Sequence, residues 1–213
     1  MYCPHFLPAY GGAELATFNL AKELIRLCDV KLYTFNWVQN LDANKNYKLN
    51  FSCGSLEREL VNGVPIHRYP VTNLPIVKTF STKLMTDIKF CDSDIVHFQG
   101  TIRLFDRLLL QRATKDKITV LTTHGFQESL EIIRRSRLNV LIDAFFIYSL
   151  KNLDHIIALS KTDVNLLLYL GVDKNKITLI PNGIDVTKFE SRRKFVKRNE
   201  KMKILCVARF DKN

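Results

Sequence analysis

The sequence predicts an α/β fold in which one parallel sheet is covered by helices on both faces. Three observations carry that expectation. Four short runs, "DIVHFQG" (94–100), "ITVLTTHG" (118–125), "HIIALS" (155–160) and "ITLIPNG" (177–183), are rich in β-branched residues and end in small, polar or histidine residues. Strands that are apolar throughout, rather than alternating, are strands buried on both faces, as in a parallel sheet. Helical stretches at 101–114, 128–152 and 161–171 separate these runs, and a strand–helix alternation of this kind builds parallel sheets. The composition, 46% hydrophobic and 25% charged over 213 residues, is that of a soluble domain long enough to bury a sizeable core.

The elements follow in order. The opening "MYCPHFLPAY" has no β-branched run before the glycine pair Gly11–Gly12. Either the first strand is short and irregular, or the true start lies upstream of Met1. In "GAELATFNLAKELIRLC" (12–28), Leu15, Phe18, Ala21, Leu24, Ile25 and Cys28 share one helical side. A strand is expected over 29–37. Asn62-Gly63 within "VNGVPIHRYPV" marks a turn followed by a strand. The helix over 128–152 is expected to break near Ser136, and Gly171 to end the helix over 161–171. After "IPNGID" a basic stretch leads to "MKILCVARFDKN", which begins another strand. The expected organisation is a domain over 1–183, a linker over 184–202 and the start of a second domain over 203–213.

Charge and cysteine content narrow the function classes. The formal charge is +11, but residues 186–213 hold ten Lys/Arg against three acids, a net of +7, leaving +4 for the first 185 residues. The basic segment "KFESRRKFVKRNEKMK" has few aromatics and no groove-reading motif, so a solvated linker is favoured over a nucleic-acid site. Attraction to an anionic membrane surface stays open. Five cysteines, widely spread and without a CxxC pair, fit neither a zinc site nor a disulfide framework. The sequence opens with no basic stretch followed by an apolar core, and a cytoplasmic location is expected. The apolar run 138–150 carries Asp143 and is too short to span a bilayer. With "EIIRRSRLN" (131–139) it forms a basic amphipathic edge, suited either to packing on the sheet or to the inner face of a membrane.

In a parallel sheet, ligands gather at the carboxyl ends of the strands. His97, Gln99, Gly100, His124, Gly125 and Ser160 fall there. A histidine after a strand serves either as a structural hydrogen-bonding group or as a catalyst, and two at one edge leave both readings open. For Gly11–Gly12 the choice lies between a tight turn before a helix and a loop whose backbone N–H groups face an anion such as phosphate.

Taken together, "PHFLPAYGGAE", "DIVHFQG", "LTTHGF", "IIALSKTDVNLLLYLGVDKNKITLIPNGID" and "ILCVARFDKN" resemble the N-terminal half of a glycosyltransferase family 4 enzyme of the GT-B architecture. The resemblance covers most of the chain apart from 38–90. It implies a Rossmann-like domain on the acceptor side of a retaining, hexosyltransferase-type enzyme that uses a nucleotide-sugar as substrate. Gly11 and Gly12 match the family's glycine-rich loop, which approaches the donor diphosphate and the reacting sugar. His124 matches the histidine that contacts the transferred sugar, and Arg209 an arginine that neutralises the leaving diphosphate. Glu14, His97, Gln99 and Gly100 are acceptor-side candidates. No cofactor and no metal are expected.

The resemblance also implies departures. The donor-side lysine would fall at or beyond Asn213, and the family's donor-gripping glutamate pair is missing from this sequence. The chain is therefore expected to be incomplete and inactive alone. Otherwise it is the non-catalytic, acceptor- or partner-binding half of a two-subunit enzyme, with a partner supplying the donor domain. The acceptor, lipid-linked or polysaccharide among others, is not readable.

Overall fold

The computed structural model describes residues 1–8, 11–39, 46–48, 57–72, 80–90, 92–100, 104–113, 117–125, 147–188 and 204–205. The chain divides into two compact units, Met1–Asn182 and Gly183–Asn213.

The first unit is built on one twisted run of strands. β1 (Leu32–Phe35), β5 (Val64–Tyr69) and β4 (Glu57–Val61) pair in the order β1-β5-β4. β6 (Ile95–Gln99), β7 (Ile118–Thr122), β8 (His155–Ala158) and β9 (Ile177–Leu179) form an all-parallel group in that order. Residues 1–3 join the two groups. Tyr2 bridges Tyr33 of β1 on one side and Phe98 of β6 on the other, both in parallel. Four backbone hydrogen bonds make the seam: Tyr2 N–H to His97 O (2.8 Å), Gln99 N–H to Tyr2 O (2.8 Å), Cys3 N–H to Tyr33 O (3.0 Å) and Tyr33 N–H to Met1 O (2.8 Å). Residues 1–3 thus supply a short strand in the middle of the sheet. This is the Rossmann-like arrangement, in which strand order reverses beside the first strand.

Both faces are covered, which is why the strands are apolar throughout. Alternate residues go to opposite sides. Tyr2, Phe35, Tyr69 and Phe98 join Leu84, Ile88, Phe105 and Leu109 in one core. Cys3, Leu32, Val64 and Ile66 join Phe6, Phe18 and Ala21 in the other. Helix α1 (Gly12–Leu24) covers the second face. Helices α2 (Thr82–Phe90) and α3 (Leu104–Ala113) belong to the first. The phenol of Tyr2 donates to the buried Asp106 carboxylate of α3 at 2.6 Å, so the seam strand also holds a helix.

The Asn62-Gly63 turn has φ of 49° and 84° at its two central positions, as a two-residue hairpin turn requires, and closes β4 onto β5 antiparallel. The expected strand over 29–37 is shorter, ending at Phe35, and Trp37–Gln39 forms a separate β2 paired antiparallel with β3 (Asn46–Lys48). The first helix is shorter than its periodicity suggested: it ends at Leu24, Leu15 and Cys28 are exposed, and Phe18 and Ala21 carry the packing with the buried Thr17. Helix α4 (Lys161–Tyr169) ends as expected at Gly171, whose φ is +79°. Gly171 N–H donates to Leu168 O (2.9 Å) and Val172 N–H to Leu167 O (3.0 Å), a Schellman closure with Leu167 and Val172 both buried. Residues 147–151 are helical, while the expected break near Ser136 and the run "EIIRRSRLN" lie outside the described residues. Among the described residues no helix is long and apolar enough to cross a membrane. Of the second unit, 186–188 form one turn of 3-10 helix, and Ile204 and Leu205 are in no strand.

Candidate active site at the carboxyl edge of the sheet

β6 and β7 bring four polar side chains into one hydrogen-bonded row. Their register sets Gln99 opposite Thr122 and His97 opposite Val120. Residues two apart on a strand point the same way, so His97 and Gln99 share a face with Thr122. His97 Nε2 lies 2.7 Å from Thr122 Oγ1 and 3.1 Å from Gln99 Nε2. Gln99 Oε1 lies 2.8 Å from His124 Nε2. The row therefore runs Thr122–His97–Gln99–His124. Gln99 is buried at 3% exposure, while His124 remains partly exposed at the edge.

Burial holds both imidazoles uncharged. For His97 it lowers the pKa from 6.5 to about 4, helped by the amino-terminal charge and by His124. For His124 burial also lowers it, opposed by the nearby Asp163 carboxylate. That carboxylate is itself buried and accepts hydrogen bonds from the hydroxyls of Thr123 (3.2 Å) and Ser160 (3.0 Å). Ser160 Oγ in turn accepts from Asp163 N–H at 3.1 Å and caps α4.

Two glycines shape this edge. Gly100 (φ +74°) and Gly125 (φ +66°) follow β6 and β7 in the left-handed region that disfavours side chains. Gly100 N–H donates to Thr122 O at 2.9 Å, tying the end of β6 to the last residue of β7.

The loop after residues 1–3 differs. Gly11 is extended (φ −124°, ψ 172°), and Gly12 is not among the positive-φ glycines. The pair is not needed for an unusual backbone turn. A Cβ on Gly11 would collide with the Glu14 carboxylate, whereas one on Gly12 would meet nothing within 4 Å. Gly11 is the N-cap of α1, with no side-chain hydrogen bond to the first turn. The start of α1 is thus an uncapped, positively polarised helix end, with Glu14 in its first turn. It follows the seam strand, next to β6, at the point where strand order reverses and where ligands of such sheets bind.

Of the residues named from sequence, His97, Gln99, Gly100 and His124 come together at the ends of β6 and β7. Gly11, Gly12 and Glu14 meet at the start of α1, and Arg209 lies outside the described residues. Thr122, Thr123 and Asp163 were missed. Asp163 had a signal, since Ser160-x-x-Asp163 before an apolar run is a capping-box pattern. Thr122 had none, because its contact with His97 depends on strand register.

The model of Glycosyltransferase Family 4 matches residues 10–188. The chain belongs to this family. A comparison with curated proteins finds no match. The matched span takes in the α1 start, the β6–β7 row and the α4 cap, and membership makes the chain a glycosyltransferase-type protein by descent. Among the described residues of this family 4 chain, no three His, Cys, Asp or Glu side chains are grouped to hold a metal ion. The cysteines Cys3 and Cys28 are free, and burial pushes the Cys3 thiol up to about 12, leaving it unreactive.

Proposed function

We propose that this chain takes part in transferring a sugar from a nucleotide-sugar to an acceptor hydroxyl with retention of configuration and without a metal. The observation that carries this reading is the pairing, at one sheet edge, of an uncapped helix start with a row of neutral histidines. Breaking the bond between a sugar and a diphosphate leaves positive charge on the ring and negative charge on the departing phosphates. Fixed N–H groups and cations aimed at the phosphates stabilise that separation. In this reading the open side of Gly12 and the first turn of α1 face the diphosphate, and Arg209 adds the cation. His124 contacts the transferred sugar. Glu14, His97, Gln99 and Gly100 line or support the acceptor side.

Because the chain is expected to be inactive alone, the test supplies a donor-binding domain to it and measures release of nucleoside diphosphate from a panel of nucleoside-diphosphate sugars, with the product anomer read by NMR. Release that depends on His124, with the anomeric configuration kept, is the expected outcome. Release unchanged in His124→Ala, or an inverted product, overturns it.

A second reading is favoured by Ile204 and Leu205. Both belong to the run expected to start a new strand, yet they are 87% and 86% exposed. Apolar residues in that state suit pairing with another polypeptide. The chain then serves as the acceptor- or partner-binding half of a two-subunit transferase. Turnover by the purified chain alone rules this out.

A further inference from the structure

The Gln99 side chain has two chemically different ends, and a histidine stands at each. An amide oxygen only accepts hydrogen bonds and an amide nitrogen only donates. With Oε1 at 2.8 Å from His124 Nε2, that nitrogen must carry a proton. With the amide nitrogen at 3.1 Å from His97 Nε2, that second imidazole nitrogen must be bare. It is also the acceptor for the Thr122 hydroxyl at 2.7 Å. The two rings are therefore opposite tautomers, set by one amide.

We propose that Gln99 is a positioning residue that locks His124 as its Nε2–H tautomer, leaving Nδ1 as the ring's acceptor for a substrate hydroxyl. The substrate part of this rests on the assignment of His124 to the sugar. The tautomer part rests on the orientation of the Gln99 amide, with its oxygen towards His124 and its nitrogen towards His97.

Three features make the lock firm. Gln99 is buried, and its backbone N–H is held by Tyr2 O at 2.8 Å, which fixes where the side chain starts. His97 stays neutral above about pH 4, so its Nε2 remains an acceptor across the neutral range. The charged or titratable groups acting on His124 are Asp163 of α4 and His97 of β6. The Asp163 carboxylate favours a protonated ring, and burial outweighs it. A bare Nδ1 is then a weak base beside the sugar. It can orient a hydroxyl without adding a positive charge where the ring itself becomes positive.

The full chain with 15N-labelled histidine tests this by long-range proton–nitrogen correlation near pH 7.5. His97 and His124 are assigned from the signals lost in His97→Gln and His124→Gln. The expected spectrum shows the protonated nitrogen at Nε2 in His124 and at Nδ1 in His97. In Gln99→Glu, a carboxylate accepts at both ends. His97 should switch to the Nε2–H form, and the pKa of His124 should rise. In Gln99→Leu, His124 should become a mixture of both forms. A wild-type His124 carrying its proton on Nδ1 overturns the proposal, and so does a Gln99→Leu spectrum identical to wild type. The wild-type spectrum is decisive even if either variant fails to fold. Failure of the functional reading is distinguishable: a fixed Nε2–H ring, combined with sugar transfer unchanged in His124→Ala, sinks the sugar assignment and leaves the lock intact.

Discussion

Helices α1 and α4 both begin at the carboxyl edge of the same sheet, but their first turns are finished in opposite ways. At α4, Ser160 accepts from Asp163 N–H and donates to the Asp163 carboxylate, which also holds Thr123. The helix end is closed by its own side chains. At α1 the N-cap is Gly11, which has no side-chain cap hydrogen bond; the Glu14 carboxylate lies against Gly11, and among the described residues a Cβ on Gly12 would meet nothing within 4 Å. A serine-type cap contributes about 1 kcal/mol over a non-capping residue. α1 does without it and is held by Phe18, Ala21 and Thr17 in the core beneath. One helix start is closed by a serine cap, and the other has only the Glu14 carboxylate beside its N-cap.

That contrast can be tested from its largest consequence downwards. Asp163→Ala removes the shared acceptor of Thr123 and Ser160 and should cost about 3 kcal/mol, read as a drop in the urea midpoint. It should also lower the pKa of His124 further, because the carboxylate that favours its charged form is gone. A loss below about 1 kcal/mol would mean that the closed end is not held by this carboxylate.

The pH dependence comes next. His97 has its folded pKa below its unfolded one, so between 6.5 and about 4 the unfolded chain binds more protons. Stability is fully present above pH 6.5 and is lost as pH falls towards 4, by up to about 1.4 kcal/mol per pH unit. His124, also lowered by burial, adds a loss of the same sign. Denaturant melts at stepped pH should show this slope, and His97→Gln should flatten it. Ser160→Ala should cost about 1 kcal/mol in the same assay.

The smallest expected effect sharpens the comparison most. Gly11→Ser gives α1 the kind of cap that α4 has and pushes the Glu14 carboxylate aside. Stability should change by only a few tenths of a kcal/mol, while nucleotide-sugar turnover falls. Unchanged turnover would show that the open end of α1 is not a phosphate site.

Much of this fold was legible because burial on both faces of a parallel sheet leaves a strong imprint. "DIVHFQG", "ITVLTTHG", "HIIALS" and "ITLIPNG" each gave a strand in the expected place. Asn62-Gly63 and Gly171 were readable because each does a job that few other residues can do. β4 was missed because "ERELV" mixes charged and apolar residues without an apolar run, its Glu59 pairing with the buried Arg68 while Leu60 is exposed, and the seam strand because three residues make no pattern. The candidate site was legible as a list of residues at one sheet edge, but not as a hydrogen-bonded row. Which atom of Gln99 meets which histidine depends on the β6–β7 register and on an amide's orientation, and periodicity records neither. The glycine pair is a different case from the edge glycines: Gly100 and Gly125 hold positive φ, whereas Gly11 and Gly12 do not, and among the described residues a Cβ on Gly12 would meet nothing within 4 Å.

The seam strand bears on the order of events during synthesis. Tyr2 closes the sheet only when β6 has formed, and its phenol meets Asp106, 104 positions along the chain. A ribosome adds about 5–20 residues per second, so the roughly one hundred positions between Tyr2 and its β6 and α3 partners take several seconds to make. The strand at the centre of the sheet is therefore the one that waits longest to gain both of its neighbours.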